Sequence, residues 1–392
     1  MLCGDGREFK KQIPNIGTVG EDFYSFLENG SAGFFRQCSW MGKKYNCDKI
    51  FRPIITDEGL CMTFNMLNDE QIYRNNVFPP PINRKLPNDY AFEEWSADHG
   101  YGEEAGVESY PRRALLSGSS NALIVNMEVA LDDLDYACSN FQGFQVVLHK
   151  AIRFPTVTEH YFRVPLSKSV IVAISPAQIV TSDDVKYYSP RKRKCFLQGE
   201  KTLMYFKNYT QYNCKLECLT NYTLDVCGCV SFYMPREKYT PICGNGNLTC
   251  ISFVKRYMDI AGLRRSLDKE TNIRNFSKIL SCDCLPMCTM VEYNTEITEI
   301  DYDWYKKYES IGNKTERDEK YSSSQLVIYF KSGHYIPCVR HELYGHLDFL
   351  ANVGGLLGLF VGFSLISLLE ILYFVSVRII CNMKLYQHWY GE

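Results

Sequence analysis

Residues 349–377 read FLANVGGLLGLFVGFSLISLLEILYFVSV. From Phe349 to Leu369 no residue is charged, a run of 21 positions. A helix needs roughly 20 apolar residues to cross a bilayer. Glu370 interrupts the run, which resumes at Ile371 and ends before Arg378 and Lys384. A membrane helix keeps its basic flank in the cytoplasm. The chain ahead of the helix is therefore expected outside the cell, with the short tail over 381–392 inside.

Cysteine usage agrees with that orientation. Of 17 cysteines, only Cys381 follows the apolar segment, and ten fall between Cys195 and Cys288. Such density suits an oxidising compartment and a disulfide framework. Glycosylation sequons stand at Asn29, Asn208, Asn221, Asn247, Asn275 and Asn313, interleaved with the cysteines, as in a secreted or lumenal domain. The competing reading is a cytosolic zinc protein, because C-x-C occurs at Cys227/Cys229 and Cys282/Cys284. Six sequons weigh against it. Lys plus Arg number 43 and Asp plus Glu 45, so the basic excess of a nucleic-acid binder is missing. An ectodomain must be led across the membrane, yet the start, MLCGDGREFKKQIPNIG, has no apolar signal-peptide core. A first transmembrane helix is expected upstream of Met1.

Alternation and β-branched content predict strands over 61–67, 121–130, 144–149, 168–174, 289–299 and 325–330. TCISFVKRYMDIAGLRRSL (249–267) and NIRNFSKIL (272–280) have helical spacing. The apolar stretch SVIVAISPAQIV is too short for a second span and carries Pro176. Residues 79–120 are rich in Pro, Gly and acid (Glu93, Glu94, Asp98, Glu103, Glu104, Glu108) and read as a surface lobe. RKRK at 191–194 reads as a solvated basic patch. The fold class is α+β: an extracellular cysteine-rich domain over 1–346, a disulfide lobe over 195–288, and a membrane helix over 347–380. G-x-S-x-G, H-E-x-x-H and phosphate-binding glycine loops are absent. No enzyme, metal or cofactor is expected.

The membrane segment itself carries chemistry. Gly354, Gly358 and Gly362 recur every four residues and make one small-residue stripe, bordered by Ala351 and Gly355. A packing stripe in any dimer explains these residues equally well. Glu370 favours a polar path, because a carboxylate in a membrane helix usually faces a protein interior or water. Gly362 can expose its carbonyl where a helix breaks, and Ser364 adds a hydroxyl. One helix cannot enclose a pore, so an oligomer is implied.

These residues resemble the second transmembrane helix of the degenerin/epithelial sodium channel family. Gly362-Phe363-Ser364 is similar to its G-x-S selectivity filter, Glu370 to its buried glutamate, and Ala351 with Asn352, Gly354 and Gly355 to its small-residue gate. CSWMGKKYNC…EGLCMTFN resembles the family's upper-palm cysteine motif. The order C-x3-C, C-G-C, M-P-R and C-x-C-L-P-x-C within 195–288 resembles its thumb lobe. The wording is nearest the insect pickpocket subfamily, and the likeness covers nearly all of residues 36–377. It implies a β-rich, palm-like extracellular domain with a helical thumb. It also implies bridges Cys38–Cys47, Cys195–Cys288, Cys214–Cys284, Cys218–Cys282, Cys227–Cys250 and Cys229–Cys243. The partners of Cys3, Cys61, Cys138 and Cys338 stay open. The function implied is a subunit of a homo- or heterotrimeric, amiloride-sensitive sodium channel in the plasma membrane, contacting lipid and sodium ions and no nucleic acid. The alternative is a truncated, non-conducting modulatory subunit or single-pass cell-surface receptor.

Overall fold

The computed structural model describes residues 15–29, 35–82, 95–96, 100–103, 105–106, 109–134, 136, 141–267, 282–310, 320–362 and 364–386. The chain divides into two units, Met1–Val180 with Pro190–Cys338 and Thr181–Ser189 with Val339–Glu392. Within the acidic lobe, residues 83–94, 97–99, 104 and 107–108, and with them Glu93, Glu94, Asp98, Glu104 and Glu108, lie outside the described residues, as do the segment 272–280, Cys3 and Cys138.

The first unit is built on a mixed sheet. Its strands are β1 (Phe35–Trp40), β2 (Lys43–Tyr45), β5 (Leu123–Ala130), β8 (Lys168–Thr181), β9 (Met290–Asp301) and β10 (Tyr321–Phe330). They lie in the order β9-β8-β10-β5-β1-β2. β8 and β10 are parallel, with Ser169 opposite Gln325 and Ile174 opposite Phe330; the other neighbours are antiparallel. Two hairpins lie beside it: β3 (Phe51–Thr56) with β4 (Gly59–Phe64), and β6 (Gly143–Val146) with β7 (Phe162–Pro165). Period-two burial sets the register. Leu123, Val125 and Met127 on β5 and Val170, Val172 and Ile174 on β8 enter one core with Leu326. A polar line crosses three strands at that level. Ser169 Oγ donates to Gln325 Oε1 (3.1 Å), and Gln325 Nε2 donates to Asn126 Oδ1 (3.0 Å).

Pro176 sits inside β8, opposite Tyr293. The parallel partner β10 ends opposite Ile174, so Pro176 lies where β8 has lost that neighbour. There a missing N–H is tolerated.

The disulfide lobe is carried by α2 (Gln211–Cys227) and α3 (Leu248–Leu267); a shorter helix, α1 (Asp22–Asn29), precedes the sheet. The sequence pattern misses α2, because Cys214 and Leu216 share its buried face with four polar residues, Asn213, Glu217, Thr220 and Thr223. Each of the four has a partner. Glu217 accepts the N–H groups of Met204 and Tyr205, both at 2.9 Å. The Thr220 and Thr223 hydroxyls donate to the Leu216 and Leu219 carbonyls. Thr210 caps the helix, accepting from the Asn213 N–H (3.0 Å).

The structure joins Cys38–Cys47, Cys195–Cys288, Cys214–Cys284, Cys218–Cys282, Cys227–Cys250 and Cys229–Cys243. Local geometry accounts for the paired rungs. Cys214 and Cys218 stand one helical turn apart, ~6 Å along the axis, while the two residues from Cys282 to Cys284 span at most ~7 Å. Gly228, at φ 71°, ends α2 in the left-handed region, donating to the Leu224 carbonyl (2.9 Å). That turn sends Cys227 and Cys229 to different partners. With both C-x-C pairs in disulfides, the zinc reading has no thiolate ligands left there. Cys61, Cys338 and Cys381 are free. Burial pushes the Cys61 thiol up, and Thr56 Oγ1 lies 3.1 Å from its sulfur.

Arg193 differs from the solvated patch expected at 191–194. It is buried and paired with Glu200, because the guanidinium closes the turn leading into Cys195.

The second unit holds α4 (His346–Val361), α5 (Leu365–Leu372) and α6 (Arg378–Tyr386), with α5 and α6 joined by a π-helical turn over Tyr373–Val377. Among the described residues, Leu365–Leu385 is the one stretch long and apolar enough to cross a bilayer. The helix expected over 347–380 is thus interrupted, at Gly362.

Candidate functional site

Gly362 takes φ 66° and ψ 21°, its N–H reaching back to the Leu357 carbonyl. A residue with a Cβ is costly in that region, which is why the break falls on this glycine. The chain restarts at Ser364, whose extended backbone caps α5 and whose hydroxyl accepts from the Ser367 N–H (3.3 Å). The Ser364 carbonyl takes the Leu368 N–H (3.1 Å). Phe363, between them, lies outside the described residues.

The break has electrostatic consequences. The last carbonyls of α4 lose their intrahelical donors and present the negative end of that helix. The positive end of α5 is covered by the Ser364 side chain. Ser364 and Ser367 hydroxyls lie 3.3 Å apart, and Glu370 follows three residues later on the same face. The polar line therefore has a member that sequence reading missed. Ser367 was detectable as the midpoint of two three-residue steps between Ser364 and Glu370. Below it, Ser376 Oγ bonds back to the Leu372 carbonyl at the π turn.

Ala351, Asn352, Gly354, Gly355 and Gly358 all lie on α4. Asn352 Nδ2 donates to the Tyr344 hydroxyl (2.8 Å). Asp348 accepts the Gly345 N–H (3.1 Å) at the start of the helix. A Cβ added at Gly354 or Gly355 meets no atom of the chain within 4 Å. Ahead of α4, the Ser182 N–H donates to the Arg340 carbonyl (3.0 Å) and the Tyr188 hydroxyl to Glu342 Oε2 (3.0 Å). The bond to Glu342 raises the Tyr188 phenol above its ordinary range.

Of the sequon asparagines, Asn29 is exposed at the end of α1, and Asn208 and Asn221 are half-buried. Asn247 has its amide engaged, donating to the Gly17 carbonyl (2.7 Å) and to Cys229 Sγ (3.2 Å). Asn275 and Asn313 lie outside the described residues.

The family pattern described as amiloride-sensitive sodium channel matches residues 10–374. Pickpocket protein 28 of Drosophila melanogaster is 27% identical over 356 residues, 88% of this chain and 56% of that protein. Sodium channel protein Nach of Drosophila melanogaster is 23% identical over 355 residues, 89% of this chain and 59% of the relative. Acid-sensing ion channel 2 of Danio rerio is 24% identical over 271 residues, 66% of this chain and 46% of its own length. The chain spans about half the length of these relatives. Because the matched region takes in the disulfide lobe, the glycine break and the polar line beyond it, the chain belongs to the amiloride-sensitive sodium channel family.

Proposed function

We propose that the chain is a subunit of a trimeric, amiloride-sensitive channel selective for sodium, gated through its extracellular domain in the plasma membrane. The observation that carries this reading is the helix break at Gly362 with Ser364, Ser367 and Glu370 continuing as one polar face. A cation leaving water needs oxygen atoms in place of its hydration shell. The freed carbonyls at the end of α4 and the Ser364 hydroxyl supply them. Glu370 lies six residues beyond Ser364, ~9 Å along a helix, and three copies around an axis make a negative ring. A carboxylate within a membrane helix is costly unless it faces a protein interior or water, so its presence favours a wet path.

Gly354 and Gly355 support assembly. Neither is glycine for the sake of packing within the chain, whereas close approach of a neighbouring helix requires small residues. Ala351 and Asn352, about one turn earlier, form the outer gate in this reading.

Patch-clamp recording of the full-length subunit tests the assignment. Ser364→Ala is expected to lower sodium-over-potassium selectivity, and Glu370→Gln to reduce cation conductance. If both variants leave selectivity and conductance at wild-type values, the pore assignment fails.

A further inference from the structure

The sequon Asn247-Leu248-Thr249 stands at the start of α3, and the fold uses its asparagine for something else. The side-chain amide donates to the Gly17 carbonyl at 2.7 Å and to Cys229 Sγ at 3.2 Å, the sulfur that pairs with Cys243. Two residues earlier, Asn245 Oδ1 accepts the Ile16 N–H at 2.7 Å. Between these side chains the backbones zip together. The Gly244 N–H donates to the Gly17 carbonyl (2.8 Å), and the Gly246 N–H to the Ile16 carbonyl (2.9 Å). Thr18 and Val19 pair with Cys243 and Ile242 as a short antiparallel ladder.

The approach is close enough to exclude larger residues. A Cβ on Gly244 would fall 2.3 Å from the Ile16 carbonyl oxygen. On Gly246 it would fall 2.1 Å from Asn15 Oδ1 and 3.1 Å from the Ile16 carbonyl oxygen. Further along the same segment, the Tyr24 hydroxyl donates to the Phe232 carbonyl (2.8 Å), and Arg236 reaches Glu21 (3.4 Å). Residues 15–24 are thus fastened to the disulfide lobe from end to end, with Asn247 at the fastening's tightest point.

An N-linked glycan is attached through that same Nδ2 atom. We infer that glycosylation of Asn247 and docking of residues 15–19 on the disulfide lobe exclude one another, and that the folded protein carries Asn247 unglycosylated as a docking residue. Attachment would turn the NH2 into a single N–H, leaving at most one of its two bonds. It would also set a branched oligosaccharide at the Gly17 carbonyl, beside the backbone contact in which Gly244 has no room for a Cβ. The docked segment is therefore the occupant that the sequon's geometry selects. The inference needs only this lobe to be folded and holds whether or not the chain conducts.

Two substitutions remove the sequon by different routes. Thr249→Ala destroys it but leaves the Asn247 amide in place; Asn247→Gln destroys it and misplaces the amide. The full-length protein is expressed in eukaryotic cells, and the surface fraction is examined before and after glycosidase. Wild type and Thr249→Ala are expected to migrate identically, and the peptide spanning Asn247 to appear with an unmodified asparagine. Hydrogen exchange of the Gly17–Val19 amides is expected to rise at least several-fold in Asn247→Gln and to stay at the wild-type rate in Thr249→Ala. A mobility loss of one glycan in Thr249→Ala, or exchange in Asn247→Gln equal to wild type, overturns the inference.

Discussion

The hydrogen bond from Asn352 to Tyr344 joins residues eight apart and lies along the first two turns of α4. Gly345, next to Tyr344, is fixed in turn by the Asp348 carboxylate. Asn352 adjoins Ala351, so in the proposed channel this bond bears on the outer gate. A net hydrogen bond contributes about 1 kcal/mol, which is roughly a fivefold change in a two-state equilibrium. Tyr344→Phe keeps the ring and removes the hydroxyl; Asn352→Ala removes the donor. If the bond is made in only one gating state, each variant shifts the open-to-closed ratio about fivefold. The double variant then shifts it no further, because the second change has nothing left to break. Single-channel open probabilities measure all four corners of this cycle, and purely additive effects would remove Tyr344 from the gate. Sequence reading reached Asn352 but not Tyr344. An i to i+8 contact depends on how the aromatic ring lies along the helix, and no spacing rule marks it. Gly362 was legible for the opposite reason: a glycine two residues before a serine in apolar sequence permits a break and supplies a cap for the helix that follows.

At the scale of elements, the disulfide lobe is a ladder whose rungs differ in what they close. Cys218–Cys282 lies four residues along α2 and two residues along the facing chain from Cys214–Cys284. Given the second bridge, the first adds a ring of only about six to eight residues, which the loop-entropy relation values at ~2 kcal/mol. Cys227–Cys250 instead encloses Cys229–Cys243, and given that bridge it adds a ring of about eleven residues, for which the same relation gives ~3 kcal/mol. Replacing both cysteines of the inner rung by serine is therefore expected to lower the melting temperature less than replacing Cys227 and Cys250. Thermal denaturation of the two double variants orders them, and equal or inverted shifts would show that strain or packing, rather than loop closure, sets each rung's contribution. The lobe also shows where pattern reading stops. α3 was visible from its apolar spacing, but α2 was not, because Glu217, Thr220, Thr223 and Asn213 take up most of its buried positions. Those side chains are there to satisfy neighbouring backbone groups, and hydrophobic periodicity carries no record of that role. β8 extends past its expected end for a related reason. Pro176 argues against a central strand, yet the neighbour that would have needed its N–H has already ended.

For the first unit as a whole, acid is the condition that bears hardest on one internal group. His149 lies in the chain between the β6–β7 hairpin strands, beside a segment that α2 holds in place. Asn213 Nδ2 donates to the Ile152 carbonyl (3.1 Å), and Asn213 Oδ1 accepts the Phe154 N–H (3.0 Å). The imidazole is enclosed between two partners. A carbonyl can only accept, so Nδ1 carries the proton donated to the Lys150 carbonyl (2.9 Å), and Nε2 accepts from the Thr63 hydroxyl (2.9 Å). Burial, reinforced by the Arg153 and Arg52 charges, lowers its pKa from 6.5 to about 4. Between those values the unfolded chain binds a proton that the folded chain does not, so stability rises with pH across the window. The contribution is complete above pH 6.5, declines as pH falls and is exhausted near pH 4. A shift of that size corresponds to roughly 3 kcal/mol. His149→Gln presents an amide to the same neighbours without a titrating group. It is expected to cost some stability at pH 7.5 through imperfect packing, but to lose less than wild type between pH 6.5 and 4.5. Carboxylates titrate in both proteins, so the difference between the two denaturation curves isolates the histidine. If the wild-type and His149→Gln curves stay parallel through that window, His149 titrates in the folded protein as it does in water, and acid sensitivity of the unit has another source.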